Sequence, residues 1–131
     1  MKKFIAPLLI ILILLDLFYI IIIFPHPELW YRFIHGAPYV DPEGILRRTA
    51  AVWTSFALFQ IIALFKWRRA PHWLMLVAGI RFTEIFADWT YLYFAQHITW
   101  IGRAGLFLAA PINLLSGLFF FRAYHLLRKT K

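Results

Sequence analysis

The chain has 131 residues, a net charge of +8, no cysteine, 63% hydrophobic and 15% charged residues, and a mean hydropathy of +0.71. A soluble domain is about half apolar and about a quarter charged, so a chain this small cannot hide so much apolar surface in water, and a lipid bilayer is its expected partner. The lack of cysteine excludes disulfide frameworks, thiol redox chemistry and cysteine–metal sites, and basic residues gathered at the ends of apolar runs speak for membrane topology and against nucleic acid.

An apolar run of about 20 residues is what the hydrocarbon core requires. The first run is Phe4 to Phe24, ended by Pro25, His26 and Pro27. Although Lys2 and Lys3 precede it, it is too long for a signal-peptide core and no small-residue cleavage site follows, so it reads as a retained span. Residues 25–48 form the one sizeable non-membrane piece, rich in turn residues (Pro25, Pro27, Gly36, Pro38, Pro42, Gly44). Within it Glu28 to His35 has the aromatics of a short helix at the membrane surface, either a connector lying on the lipid or a lid over a cavity. Further spans are expected over about 49–65, 73–94 and 104–121. The fold class is therefore all-α: one domain over 1–131, an integral, multi-pass membrane four-helix bundle.

Flanking charge orients it. Lys2, Lys3, Lys66, Arg68, Arg69, Arg122, Arg128, Lys129 and Lys131 fall on one side, against Arg32, Arg47, Arg48 and Arg103 on the other. The positive-inside rule then places both termini in the cytoplasm. Trp30, Tyr31, Tyr39, Trp67, Trp73 and Trp100 lie near the span ends, as an aromatic belt requires.

Polar residues inside the spans mark the candidate site. Asp16, Glu84 and Asp88 are three of only six acids in the chain, and a charge at the bilayer centre costs at least about 2.5–3.5 kcal/mol on insertion scales. On the third span Arg81, Glu84, Asp88 and Tyr91 fall within an arc of about 80°. Arg81 is expected to neutralise Glu84 at i,i+3, which leaves Asp88 in need of a partner from elsewhere. Asp16 and Glu84 each lie about 18 Å from the cytoplasmic start of their helices. Thr54 and Ser55 come near that level, Asn113 lies closer to Arg81, and Gln60 lies deeper toward the cytoplasm. Each span thus offers a polar group to the interior. Such a cluster either holds the bundle together through a buried ion pair and hydrogen bonds or marks a site or pathway.

On the fourth span Pro111 interrupts the backbone ladder and frees the carbonyl of Phe107. Gly105, Ala109, Ser116 and Gly117 allow close helix approach, as packing or as a cavity wall. His26, His35, His72, His97 and His125 all lie at or beyond span ends. Haem ligation needs histidines deep in the spans, and no spacing among these suits a metal, so no cofactor is expected.

Several short features together resemble the EXPERA superfamily, which contains emopamil-binding protein and the sigma-2 receptor. They are an acid in the first span (Asp16), a long first loop with Asp41-Pro42, Gln60 late in the second span, the step Lys66, Trp67, Arg69, Pro71 before the third, and Ala110-Pro111 in the fourth. The resemblance implies a four-helix membrane fold with a ligand cavity in which a second-span acid faces the first. Here Ser55 stands about where that acid belongs, and Glu84 is the group available to replace it.

The first functional expectation is an intramembrane binding protein for a small hydrophobic ligand, lipid-, sterol- or quinone-like. Asp16, Arg81, Glu84, Asp88, Tyr91, Asn113, Gln60 and Ser55 are its candidate site. The alternatives are an accessory subunit of a homo-oligomer or larger membrane complex, an enzyme moving protons on a lipid substrate, and a proton-linked transporter.

Overall fold

The computed structural model describes residues 1–39 and 43–129, and every regular element among them is helical: α1 (Lys2–Ile23), α2 (Pro27–His35), α3 (Ile45–Lys66), α4 (His72–Phe94) and α5 (Trp100–Lys129). The Asp41-Pro42 step lies outside the described residues. Three helices, α1, α3 and α5, are long and apolar enough to cross a membrane. α4 is as long, with 23 residues, but every 18-residue stretch of it contains Arg81, Glu84 and Asp88. α5 is longer than its apolar run. It continues through Arg122 to Lys129 and has 30 residues, about 45 Å at 1.5 Å per residue, against a hydrocarbon core of about 30 Å. Pro111 sits inside α5 without ending it.

The four long helices pack as two antiparallel pairs. α4 lies along α5 and α1 along α3; contacts of α3 with α4 join the pairs, while α1 and α5 touch only lightly. Small residues set the first of these approaches. A β-carbon on Gly117 would stand 2.6 Å from the Phe82 ring, so α5 meets α4 there only because the position has none. Gly105, expected in the same seam, faces open space.

Apolar packing is concentrated at one end. Ile5, Leu9 and Leu12 of α1, Ala63 of α3 with Trp67 just beyond it, Leu74, Val77 and Ala78 of α4, and Phe120 and Ala123 of α5 form one buried cluster. All of these belong to the half of the bundle that holds both termini. Trp67, placed by sequence in the interfacial belt, is only 6% exposed and helps to close that end.

The opposite end is crossed by α2, and its sequence explains its bounds. Pro27 at the first turn has the preset φ of a helix start. Glu28 lies at the positive end of the helix dipole, and Arg32 and His35 at the negative end. Gly36 closes the helix with φ 68°, a left-handed conformation that glycine adopts without strain, and its N–H donates to the Arg32 carbonyl at 2.8 Å. α2 then docks on the start of α5. The Thr99 hydroxyl donates to the carbonyls of Phe33 (2.9 Å) and Ile34 (3.0 Å) and accepts from the Gly102 N–H (3.0 Å), capping the new helix. Gly102 is needed at this joint, because a β-carbon there would come within 2.7 Å of the Ile34 carbonyl oxygen.

Candidate functional site

Just beyond the apolar cluster, a polar chain threads all four long helices. Arg81 of α4 donates to Asp16 of α1, Nη2 to Oδ2, at 3.0 Å, with side chains only 2% and 4% exposed. Gln60 of α3 donates to the same carboxylate oxygen and to the Phe56 carbonyl at 3.0 Å. On its other side Arg81 Nη1 donates to Asn113 Oδ1 of α5 at 3.5 Å, and Asn113 Nδ2 donates to Asp88 Oδ2 at 3.3 Å. Ser116, one turn along α5, donates to the Asn113 carbonyl at 3.1 Å.

The expected Arg81–Glu84 pair gives way to Arg81–Asp16. Helical side chains lean toward the N-terminus of their own helix, so Arg81 runs away from Glu84 and toward the level of Asp16. An Arg placed N-terminal to its acid is also the poorer orientation for an intrahelical pair. The same lean explains Gln60. Expected deeper, it reaches back up descending α3 to Asp16, and Asn113 leans likewise along α5 to Asp88. The outside partner that Asp88 requires is therefore Asn113.

Two expected site residues stand elsewhere. Ser55 is exposed; it precedes Gln60 by five residues, about 140° around α3, and so points away from the cluster. Thr54 donates to the Ala50 carbonyl of its own helix at 3.3 Å. Tyr91, 42% exposed, lies at the α2 end, where its hydroxyl bonds to Nε2 of His35. The other His35 nitrogen, Nδ1, donates to the His97 carbonyl.

Glu84 adjoins the chain without joining it, its carboxyl standing near the Trp53 indole nitrogen. Trp53 opens an aromatic group that sequence reasoning passed over. Its ring centroid lies 5.3 Å from that of Tyr19, which lies 5.0 Å from that of Trp30 at a steep edge-on angle. Tyr19 in turn lies in the same region as Asp88, Asp16 and Glu84. The spacing carried a signal: Trp53 precedes Gln60 by two turns and Tyr19 follows Asp16 by three residues, both on the inward faces their partners define.

No protein-family model, curated protein or solved structure matches this chain. Function must therefore be read from the site. Among the described residues, Asp16 forms an ion pair with Arg81, and His26 Nδ1 lies 3.4 Å from Glu28 Oε1. Among these residues neither Glu84 nor Asp88 has an ion-pair partner, and Asp88 accepts from the neutral amide of Asn113. Two fully buried polar atoms, Gln60 Oε1 and Arg81 Nε, have no partner, and an unsatisfied buried polar group costs about 1–3 kcal/mol. The arrangement combines excess carboxylate, π faces and idle hydrogen-bonding atoms in one region at mid-bundle.

Proposed function

We propose that the chain crosses the membrane four times, with both termini cytoplasmic, and that it binds a small hydrophobic ligand bearing a cationic head. The observation that carries this reading is the occupation of Arg81 by Asp16. With the guanidinium held there at 3.0 Å, Asp16, Glu84 and Asp88 against a single Arg81 leave the region with an excess of acid. α4 enters the bilayer beside α1, α3 and α5 because its charged face is turned inward, where such residues are carried in membrane bundles. The head of the ligand sits between Glu84 and Asp88, with Tyr19, Trp30 and Trp53 offering the aromatic faces that attract cations. Its apolar body lies among the aliphatic and aromatic side chains of the same half.

Purification of the native protein in mild detergent, followed by mass spectrometry of what stays bound, tests this. A basic amphiphile retained by the native protein and lost from Glu84→Gln/Asp88→Asn supports the reading. Retention of only neutral or anionic molecules, or equal retention by the double variant, removes it. A second reading, an accessory subunit, draws on the bare aromatic face of α4 and α5, where Phe86, Trp89, Tyr93 and Trp100 are 60–83% exposed. A stoichiometric protein in the same preparation selects it.

A further inference from the structure

The end of the bundle that holds both termini carries a second feature, remote from the acidic cluster. An open cleft of about 390 Å³ lies between the start of α1, the α3–α4 turn and the last turns of α5, lined by Lys2, Lys3, Trp67, Arg68 and Leu127. Basic residues at a membrane-helix end are ordinary and by themselves report only orientation. Three observations make this cleft more than that. Cationic side chains reach it from separate elements, two from α1 and one from the α3–α4 turn. None of Lys2, Lys3 and Arg68 makes an ion pair among the described residues. Among the described residues of α1 the acid closest to Lys2 is Asp16, about 21 Å up the helix at 1.5 Å per residue, and it is already paired with Arg81.

The walls match the charge. The buried Trp67 ring forms an apolar floor, with the Arg68 guanidinium carbon 5.2 Å from the ring centroid. Leu127 closes the α5 side. Beside the cleft, Phe4 is 56% and Phe65 79% exposed, both a turn or less from the end. A concave site with unneutralised cations at its mouth and bare apolar surface running away from it along the helices suits a molecule with an anionic head and long apolar tails.

We propose that this cleft binds the phosphate headgroup of an anionic phospholipid, its acyl chains lying along the outer faces of α1 and α3. Lys2 and Lys3 act as point charges toward the phosphate, while Arg68 offers the fork geometry that grips two of its oxygens. The Trp67 ring holds Arg68 in place by a cation–π contact. The site does not depend on any ligand at Glu84 and Asp88.

The test uses the full chain in mild detergent, probed by native mass spectrometry against equimolar phosphatidylglycerol and phosphatidylcholine. The native protein should retain phosphatidylglycerol in preference. Lys2→Gln/Lys3→Gln/Arg68→Gln should lower that preference at least tenfold while its melting temperature stays within a few degrees. Arg32→Gln/Arg48→Gln/Arg103→Gln, which removes the same charge from the other end, should keep it. Equal loss in both triple variants, or none in the first, overturns the proposal. So does displacement of the lipid by millimolar inorganic phosphate alone, which would make the cleft a soluble-anion site. Should the first triple variant fail to fold, Arg68→Lys provides the reading: it keeps the charge but loses the fork, and an unchanged preference rules out the assigned grip.

Discussion

Asp16 and Arg81 meet at 3.0 Å across the seam between the two helix pairs, sixty-five residues apart in the chain and almost sealed from solvent. A buried pair of this kind is a weak net stabiliser, but removal of one partner strands the other charge, at about 3–5 kcal/mol. Arg81→Met should therefore lower the melting temperature sharply, and Arg81→Met/Asp16→Asn should recover much of the loss. Arg81→Met/Glu84→Gln should not, because Glu84 is not the partner. Thermal aggregation in detergent separates the cases, and rescue by the Glu84 change rather than the Asp16 change would reassign the pair.

The orientation proposed from flanking charge is open to direct labelling, since the chain has no native cysteine. Pro38 and Gln96 are exposed near α2, and Lys66 is exposed at the end holding the termini. Cysteines at the first two positions should react with an impermeant thiol reagent added to intact cells, and one at Lys66 should react only after lysis. Ile34, in α2, is unsuitable because it is 7% exposed and packed against α5. Labelling of Lys66→Cys alone would invert the topology.

The helices were legible because the constraint that shapes them is local: apolar runs of membrane length, bounded by Pro25, Pro71 and clusters of charge, give ends within about four residues of those observed except at α5. There the apolar run stops at Phe121, but good helix formers such as Leu126, Leu127, Arg128 and Lys129 carry the helix on. The residues of the polar chain were legible too, since an acid or Arg in an apolar run has few reasons to be there. Their pairing was not. Which helix supplies the partner depends on side-chain lean and on the rotation of each helix about its axis, and intrahelical spacing made Glu84 look nearer to Arg81 than Asp16. Ser55 was misplaced for the same reason: depth along α3 can be counted, whereas its facing follows from which other residues of α3 are buried. The Tyr19, Trp30 and Trp53 group was hidden by number, because aromatics make up 20% of the chain and a cluster does not stand out among them.

Close approach of α4 and α5 at Gly117 makes a sharp contrast with Gly105. Gly117→Ala would place its β-carbon 2.6 Å from the Phe82 ring, and overpacking of this kind costs about 1–3 kcal/mol. Gly105→Ala meets nothing within 4 Å and gains about 1 kcal/mol of helix propensity. The first variant should melt lower than the native protein and the second at least as high, by circular dichroism in the same detergent. A Gly117 variant as stable as the native protein would mean that the two helices are not this close.

The final prediction concerns Trp53, which has two separable contributions to the proposed site. Its indole N–H is the polar group near Glu84, and its ring lies 5.3 Å from that of Tyr19. Trp53→Phe removes the donor and keeps an aromatic face; Trp53→Leu removes both. If Trp53 only offers its N–H toward Glu84, the two variants lose the same group and should be equally impaired. If it also offers its face to a cation, a contact of about 0.5–2 kcal/mol when desolvated, the leucine variant should be worse than the phenylalanine variant by roughly two- to thirtyfold in retention of the bound amphiphile. Melting temperatures supply the control, since both variants remove comparable bulk beside a half-buried position and should destabilise alike. Retention that falls in strict proportion to stability would leave Trp53 a packing residue, and equal retention by both variants would take the aromatic face out of the site.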